Sequence, residues 1–480
     1  MFFNYRNSKR NPIHEVAIVS LLTAWALPVH AQSEQQQVEE LRHQINELQR
    51  KVAAMEDERS KDASEGVKVS ELQRKVAAME DERSKDASEG FRVGNTNVKF
   101  GALIKLDAVD NLGQDLGPKA WPLSIDPTLS GDERASGGHL NMSARPTRLR
   151  LITSTPTDWG PVVGFVETDF DASAGGNEQT TNSYGLRLRH AYFTWNRWMF
   201  GQNWSTFSDF HFPKILDNQA PIGVTFVRQP QIRYTFDLGG GSLDLALENP
   251  DGEIRGLGGR VIASNLQLDI ECPPGSAVDC GAQNPVPDVV ARYRFKPNEA
   301  ASLQVATLAR YIKLDGATGD KSTYGWGVNI GGSYAFPTGT KLFASSFAGE
   351  GLDRYLFSPY VGDAYVDNNG DVEPIERWSA SLGVSQKLAG AWSANVVYGV
   401  SGVEGLDGEQ AAINARCSFA GTQQGLGCVA RRFSDIHANV IYQVSDSLLF
   451  GVEYIYTKVE YQDKAEGEAH TVMFSAEYGF

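Results

Sequence analysis

The amino-acid sequence predicts an all-β protein: a 16-stranded antiparallel transmembrane β-barrel preceded by a short N-terminal periplasmic coiled coil. Three observations predict it. From Val98 onward, stretches of roughly ten residues alternate apolar and polar positions, the period of a strand with one greasy and one wet face. The connections between these stretches alternate strictly between short and long. The chain also ends inside such a stretch, with Val472, Phe474, Ala476, Tyr478 and Phe480 on one face.

Composition alone misleads. A net charge of -15, 41% hydrophobic residues and a mean hydropathy of -0.32 describe a soluble acidic protein. Alternation reconciles those values with a membrane, because each strand averages a lipid face with a wet one. No run of about 20 apolar residues occurs, which excludes a helical span. With 44 Lys and Arg against 59 Asp and Glu, no nucleic-acid partner is expected.

Residues 1–31 read as a secretory signal peptide. Arg6, Lys9 and Arg10 form the basic region, Val16 to Leu27 the apolar one, and Val29-His30-Ala31 the cleavage site. Residues 32–90 read as a periplasmic stalk. Val38, Leu41, Ile45, Leu48, Val52 and Met55 alternate spacings of three and four, a coiled-coil seam. The block ELQRKVAAMEDERSKDASEG occurs at 47–66 and again at 71–90, a period of 24 that shifts the heptad phase. A solvated, partly helical spacer is the alternative.

Residues 91–480 then form the barrel. The first strand places Val98, Phe100, Ala102, Ile104, Leu106 and Ala108 on one face, with Lys99, Lys105 and Asp107 on the other. Tight turns are expected at Thr157-Asp158-Trp159, Asn196-Arg197, Leu238 to Gly241, Lys296-Pro297-Asn298, Pro337-Thr338-Gly339, Ala389-Gly390 and Ser445-Asp446. Between them lie long loops, among them 205–229, 250–286 and 402–431. Short turns facing the periplasm and long loops facing outward mark a barrel in the outer membrane of a Gram-negative bacterium. The count is 16 strands, with 258–270 able to hold one further hairpin. An even number keeps the stalk and the C-terminus together in the periplasm.

Export makes the cysteines disulfide candidates: Cys272 with Cys280 in one long loop, Cys417 with Cys428 in another. No CxxC and no neighbouring His accompany them, so no metal site is expected.

Arginines recur on the wet faces. Arg148 and Arg150 alternate with Leu149 and Leu151, and Arg187 and Arg189 with Leu186 and Leu188. Arg233, Arg292 and Arg294 follow the same parity, and Arg310, Lys99 and Lys105 join them. Arginines lining a lumen favour anions, and the guanidinium fork suits carboxylates. The competing reading is structural, since Glu167, Asp169 and Asp171 share the wall and can take these arginines as cross-strand partners. The loop 205–229 is aromatic for one facing water, with Phe207, Phe210, Phe212 and Phe226. Folded into the channel, it would set Asp209, His211 and Lys214 at a constriction and Arg228 on the pore lining. The alternative is an external loop packed on its neighbours or on a partner subunit.

No GxSxG, HExxH or phosphate-binding loop is present and the eight His are dispersed, so neither enzyme activity nor a cofactor is expected.

The segments FGALIKLDAV, RPTRLRLITSTP, GFVETDFDA, LRLRHAYFTW followed by FGQNWSTF, RQPQIRYTF and PDVVARYRF, with the terminal Phe480, resemble in their order the DcaP-like outer-membrane porins. The resemblance spans nearly the full chain. It implies a homotrimer of 16-stranded barrels in outer-membrane lipid and lipopolysaccharide, a diffusion channel for small anionic solutes, dicarboxylates in particular. It also implies an arginine-lined eyelet built from the wet-face arginines above. The second copy of the repeated block departs from a simple stalk, for which peptidoglycan is a candidate partner. Two other readings stay open: a structural, cell-wall-tethering barrel with little transport, and an outer-membrane hydrolase using a Ser–His pair.

Overall fold

The computed structural model describes residues 90–480, except 118–124, 126–137, 173–181, 183, 218–219, 256–260, 265–280, 284, 316–319, 358–361, 368–370, 405–429 and 462–463. The signal peptide, nearly all of the stalk and the four cysteines lie outside the described residues.

Sixteen strands run antiparallel, each beside its sequence neighbours. The first wall comprises β1 (Thr96–Asn111), β2 (His139–Ser143 and Arg148–Thr155), β3 (Val162–Asp169), β4 (Arg187–Trp195) and β5 (Trp198–Trp204). Next come β6 (Arg228–Asp237), β7 (Gly241–Glu248), β8 (Asp288–Asn298), β9 (Ala301–Asp315), β10 (Lys321–Ala335) and β11 (Thr340–Glu350). The last are β12 (Glu376–Lys387), β13 (Trp392–Glu404), β14 (Ala430–Ser445), β15 (Leu448–Tyr461) and β16 (Glu466–Gly479). The barrel closes where β1 pairs with β16, from Leu103 opposite Gly479 to Asn111 opposite Thr471. Phe480 finishes the seam: its amide donates to the Ala102 carbonyl (3.1 Å) and its carbonyl accepts from the Ala102 amide (3.0 Å).

All seven short turns fall where the sequence places them, with one adjustment. Strand β8 runs on through Pro297 after a register shift and turns only beyond Asn298, whose side chain accepts from the amides of Ala300 and Ala301 (both 2.9 Å). At the two-residue turn Asn196-Arg197, Asn196 has φ 54°, a left-handed conformation that asparagine tolerates. Most of 258–270, the stretch able to hold a further hairpin, lies outside the described residues. Glu253–Arg255 and Val261–Ser264 join Ala364–Val366 and Val372–Pro374 in a separate four-stranded sheet among the long loops.

Burial is inverted relative to a water-soluble protein. On β10, Tyr324, Trp326 and Ile330 are exposed, whereas Asn329 and Ser333 are buried. Large apolar side chains are exposed on strands around the barrel, as an outer surface in lipid requires, while the inward faces combine buried polar residues with apolar ones such as Val290, Leu308 and Phe347 that pack on the loops. Aromatics gather near the short turns, with Trp198 against Tyr234 (4.8 Å), Tyr334 against Phe336 (4.8 Å) and Trp392 against Tyr442 (4.7 Å). They form one of the two aromatic girdles that such barrels carry at the membrane interfaces.

Two irregularities decide what faces the lumen. Between its two segments, β2 holds one residue more than β1 opposite, with Asp107 facing Ser143 and Leu103 facing Arg148. That bulge contains Pro146, which cannot donate to a ladder, and it reverses the parity so that Arg148 and Arg150 point inward. In β4, Glu167 faces His190 and Thr168 faces Leu188, which leaves Arg189 as an extra residue. Arg189 and His190 therefore both turn into the lumen, where both are buried.

Candidate functional site

Beyond β5 the chain turns inward. Glu248 on β7 receives the Ser205 hydroxyl (2.7 Å) and the Thr206 amide (2.6 Å), which fixes the turn. The segment then crosses the lumen. Its carbonyl at Ser208 accepts from Gln304 of β9 (3.0 Å), and His211 Nε2 meets the Ser302 hydroxyl of β9 (3.2 Å). Farther on, Lys214 pairs with Glu477 of β16 (2.8 Å), and the amide of Leu216 donates to Glu453 of β15 (2.7 Å). The Gly223 carbonyl accepts from Ser379 of β12 (2.6 Å). The aromatics explain the inward course: Phe207 is fully buried against Phe347 (5.9 Å) and Tyr355 (5.8 Å), and the partly buried Phe226 packs against Phe357 (5.8 Å). Burial, with Asp288 and Glu248 nearby, holds the Tyr355 hydroxyl well above its usual pKa, so it donates to Asp288 (2.7 Å).

The wall makes room by lacking side chains. A Cβ at Gly331 would overlap the Asp209 carboxylate, one at Gly383 would meet Pro213, one at Gly399 the Ile222 carbonyl, and one at Gly451 the Leu216 side chain. Four glycines on four strands thus form a seat for one loop.

Between the inserted loop and the β1–β5 wall lies a cavity of about 660 Å³. Lys105, Arg148, Arg150, Arg189 and Lys214 line it, against the carboxylates of Glu167, Asp217 and Glu477. Glu167 accepts from Arg150 Nε (2.6 Å) and from Arg189 Nε (2.7 Å); Asp169 accepts from Arg189 Nη1 (2.9 Å) and, in a bidentate pair, from Arg187 (2.7 and 3.0 Å). The cross-strand reading is therefore correct for these contacts. Exposure nevertheless separates the two signs in two pairs at the cavity, Arg150–Glu167 and Lys214–Glu477. The Arg150 and Lys214 side chains are 37% and 46% exposed, while Glu167 and Glu477 are 5% and 11% exposed. In these two pairs the carboxylate is covered and the cation reaches water, whereas Lys105 and Arg189 are themselves buried.

The remaining predicted residues sort by place. Arg228 lies beside the cavity, stacked 3.7 Å over the Trp204 ring, and no carboxylate among the described residues pairs with it. Asp209 and His211 stand outside the lining, locked to each other (2.5 Å) and wedged against β9 and β10. Lys105 borders the cavity, but its ammonium is spent on the Leu216 carbonyl, Asp107 (3.4 Å) and Glu477 (3.5 Å). Arg292 and Arg294 share Asp244 (2.8 and 3.1 Å), and Arg233 contacts Met199 (3.2 Å) in the same group. Arg310 is fully buried, held by Asp363 (3.1 Å), Asp288 (3.5 Å) and two loop carbonyls, and so anchors loops.

Sequence reasoning missed one whole side of the cavity. Phe165, His190, Tyr192 and Trp204 line it together with Phe210, Phe212 and Phe226 of the loop. His190 was invisible because only the bulge turns it inward. Trp204 ends a strand, and its role depends on the loop folding back over it.

The model of the DcaP outer membrane protein family matches residues 27–480. Among solved structures, the outer membrane channel DcaP of Acinetobacter baumannii superposes with a TM-score of 0.66 at 24% identity, over 82% of this chain and 100% of that one. OmpT of Vibrio cholerae, expressed in the outer membrane, reaches 0.47 at 11% identity, over 82% and 100%. An anion-selective porin from Comamonas acidovorans reaches 0.47 at 11%, over 80% and 100%. No curated protein matches the chain. The structural likenesses concern the fold.

Proposed function

The chain belongs to the DcaP outer membrane protein family, and from that premise we propose that it is an outer-membrane channel that passes small anions, dicarboxylates in particular, through a constriction set by the inserted loop. One observation carries this reading: in the two pairs Arg150–Glu167 and Lys214–Glu477 that border the cavity, the cation is the exposed partner and the carboxylate the covered one. An entering solute thus meets Arg150 before Glu167 and Lys214 before Glu477. A guanidinium engages a carboxylate through two parallel hydrogen bonds, and a solute with two carboxylates can contact Arg150 on the wall and Lys214 on the loop. Such contacts stay weak enough for release, because Glu167 already takes part of the Arg150 charge. Arg148, Arg187 and Arg228 extend the positive field toward the outer mouth, and Arg233, Arg292 and Arg294 form a second set beyond the constriction. No chemical step is part of this reading.

A homotrimer is proposed on the shape of the wall. Strands β3, β5 and β7 hold 8, 7 and 8 residues, against 15 in β9 and β10 and 16 in β14. A strand needs about 9–11 residues to cross the hydrocarbon core, so the short side is suited to cover by neighbouring protomers rather than lipid.

The test is the reversal potential of the purified channel in planar bilayers under a KCl gradient. Chloride preference is expected, together with faster liposome swelling for dicarboxylates than for neutral solutes of equal size. A cation preference overturns the anion reading.

A further inference from the structure

The inserted loop is held at its far side by three charged residues that never touch the cavity. His437 on β14 stands between two carboxylates: its Nε2 is 3.0 Å from Asp435 Oδ2 and its Nδ1 is 2.9 Å from Glu453 Oε1. A carboxylate only accepts, so two such neighbours require a proton on each ring nitrogen and His437 is an imidazolium. The outer lone pairs of the same carboxylates hold the loop. Glu453 accepts from the amides of Leu216 (2.7 Å) and Asp217 (3.3 Å), and Asp435 accepts from the amide of Ile222 (2.9 Å). Asn439 completes the arrangement by donating to Glu453 (2.7 Å) and to the Lys214 carbonyl (2.9 Å). All of these wall groups are buried.

Such a cluster is costly to bury unless its charges are matched, and here the loop amides supply partners to Glu453 and to one oxygen of Asp435 that the wall does not. The three amides would otherwise be unpaired donors inside the barrel, and the acids would face one cation between two. Lys214, Ile215 and Asp217, which border the cavity, lie on the segment so held.

The geometry points to Asp435, His437 and Glu453 as a latch: positioning residues that fix the loop and thereby set the size limit and steadiness of the channel. This rests on the loop being the constriction proposed above. The cluster acts through backbone amides, so it determines where Lys214 and Asp217 stand without contacting a solute.

The experiment is His437→Gln in the full-length protein, read by liposome swelling with neutral sugars of increasing size and by single-channel recording. The expected result is a raised size limit and a current that flickers, in a barrel that still shows heat-modifiable mobility. Cross-linking the loop elsewhere, with Leu216→Cys and Gly451→Cys, whose positions adjoin in the barrel, restores the original limit and a quiet current. A general loss of barrel stability would not be repaired in this way. A folded His437→Gln channel with unchanged limit and unchanged noise overturns the latch. Where that variant does not insert, Asp435→Asn is read identically, and a quiet, size-unaltered channel is again the overturning result. Failure of both variants to insert even with the cross-link present also overturns it. Failure of the anion reading shows separately, as a cation-preferring reversal potential of the unaltered protein.

Discussion

Arg189 Nε lies 2.7 Å from Glu167 Oε1, and that pair ties the bulge of β4 to the middle of β3. Glu167 also takes Arg150 on its other oxygen (2.6 Å), so one carboxylate is shared by an arginine that is 5% exposed and one that is 37% exposed. The two arginines therefore do different things.

Arg150→Ala should lower the chloride preference and dicarboxylate flux while leaving the barrel stable, because half-exposed pairs are worth about 0–1 kcal/mol. Arg189→Ala leaves Glu167 and Asp169 short of a buried partner and should cost about 3–5 kcal/mol. Urea titration of the folded barrel and reversal potentials separate the two. Equal loss of stability in both variants contradicts the division.

Ionic strength should move selectivity. Charges facing the lumen act over about 10 Å at 0.1 M salt and about 3 Å at 1 M. The anion-to-cation permeability ratio is expected to fall steadily across that range. A ratio insensitive to salt would mean that pore shape, not the arginine field, discriminates.

Gly331→Val places a side chain where the Asp209 carboxylate sits. The loop must give way into the lumen, with about 1–3 kcal/mol of overpacking and a smaller single-channel conductance. An unaltered conductance would show that the loop does not depend on this seat.

Removing Phe480 deletes both backbone bonds to Ala102 at the closing seam. The amount of heat-modifiable barrel in outer-membrane fractions should drop, with unfolded chain accumulating. Wild-type levels would place the decisive seam contacts higher along β1 and β16.

Asp209, His211 and Ser302 are joined in the order of a hydrolase relay, at 2.5 and 3.2 Å. On the channel reading this chain only wedges the loop against β9. A fluorophosphonate probe should leave Ser302 unlabelled, and ester hydrolysis should stay at background. Labelling that disappears in Ser302→Ala would instead support the hydrolase alternative.

Much of this protein is legible in its sequence. Period-2 alternation and the short and long connections point to sixteen strands and, away from the bulges of β2 and β4, to their inner and outer faces, because these are local properties of each strand and turn. Phe207, Phe210, Phe212 and Phe226 announce a loop that needs burial, again from composition alone. Which arginines meet water is another matter. Arg189 and Arg310 obey the same parity as Arg150, yet one is held by two acids at a bulge and the other by the loops above it. The Asp435–His437–Glu453 cluster lies more than 200 positions from the loop that it holds, and the glycine seat more than 100. Only closing the barrel brings them together, since a charge's exposure and its partners depend on what packs across the lumen, which no single strand encodes.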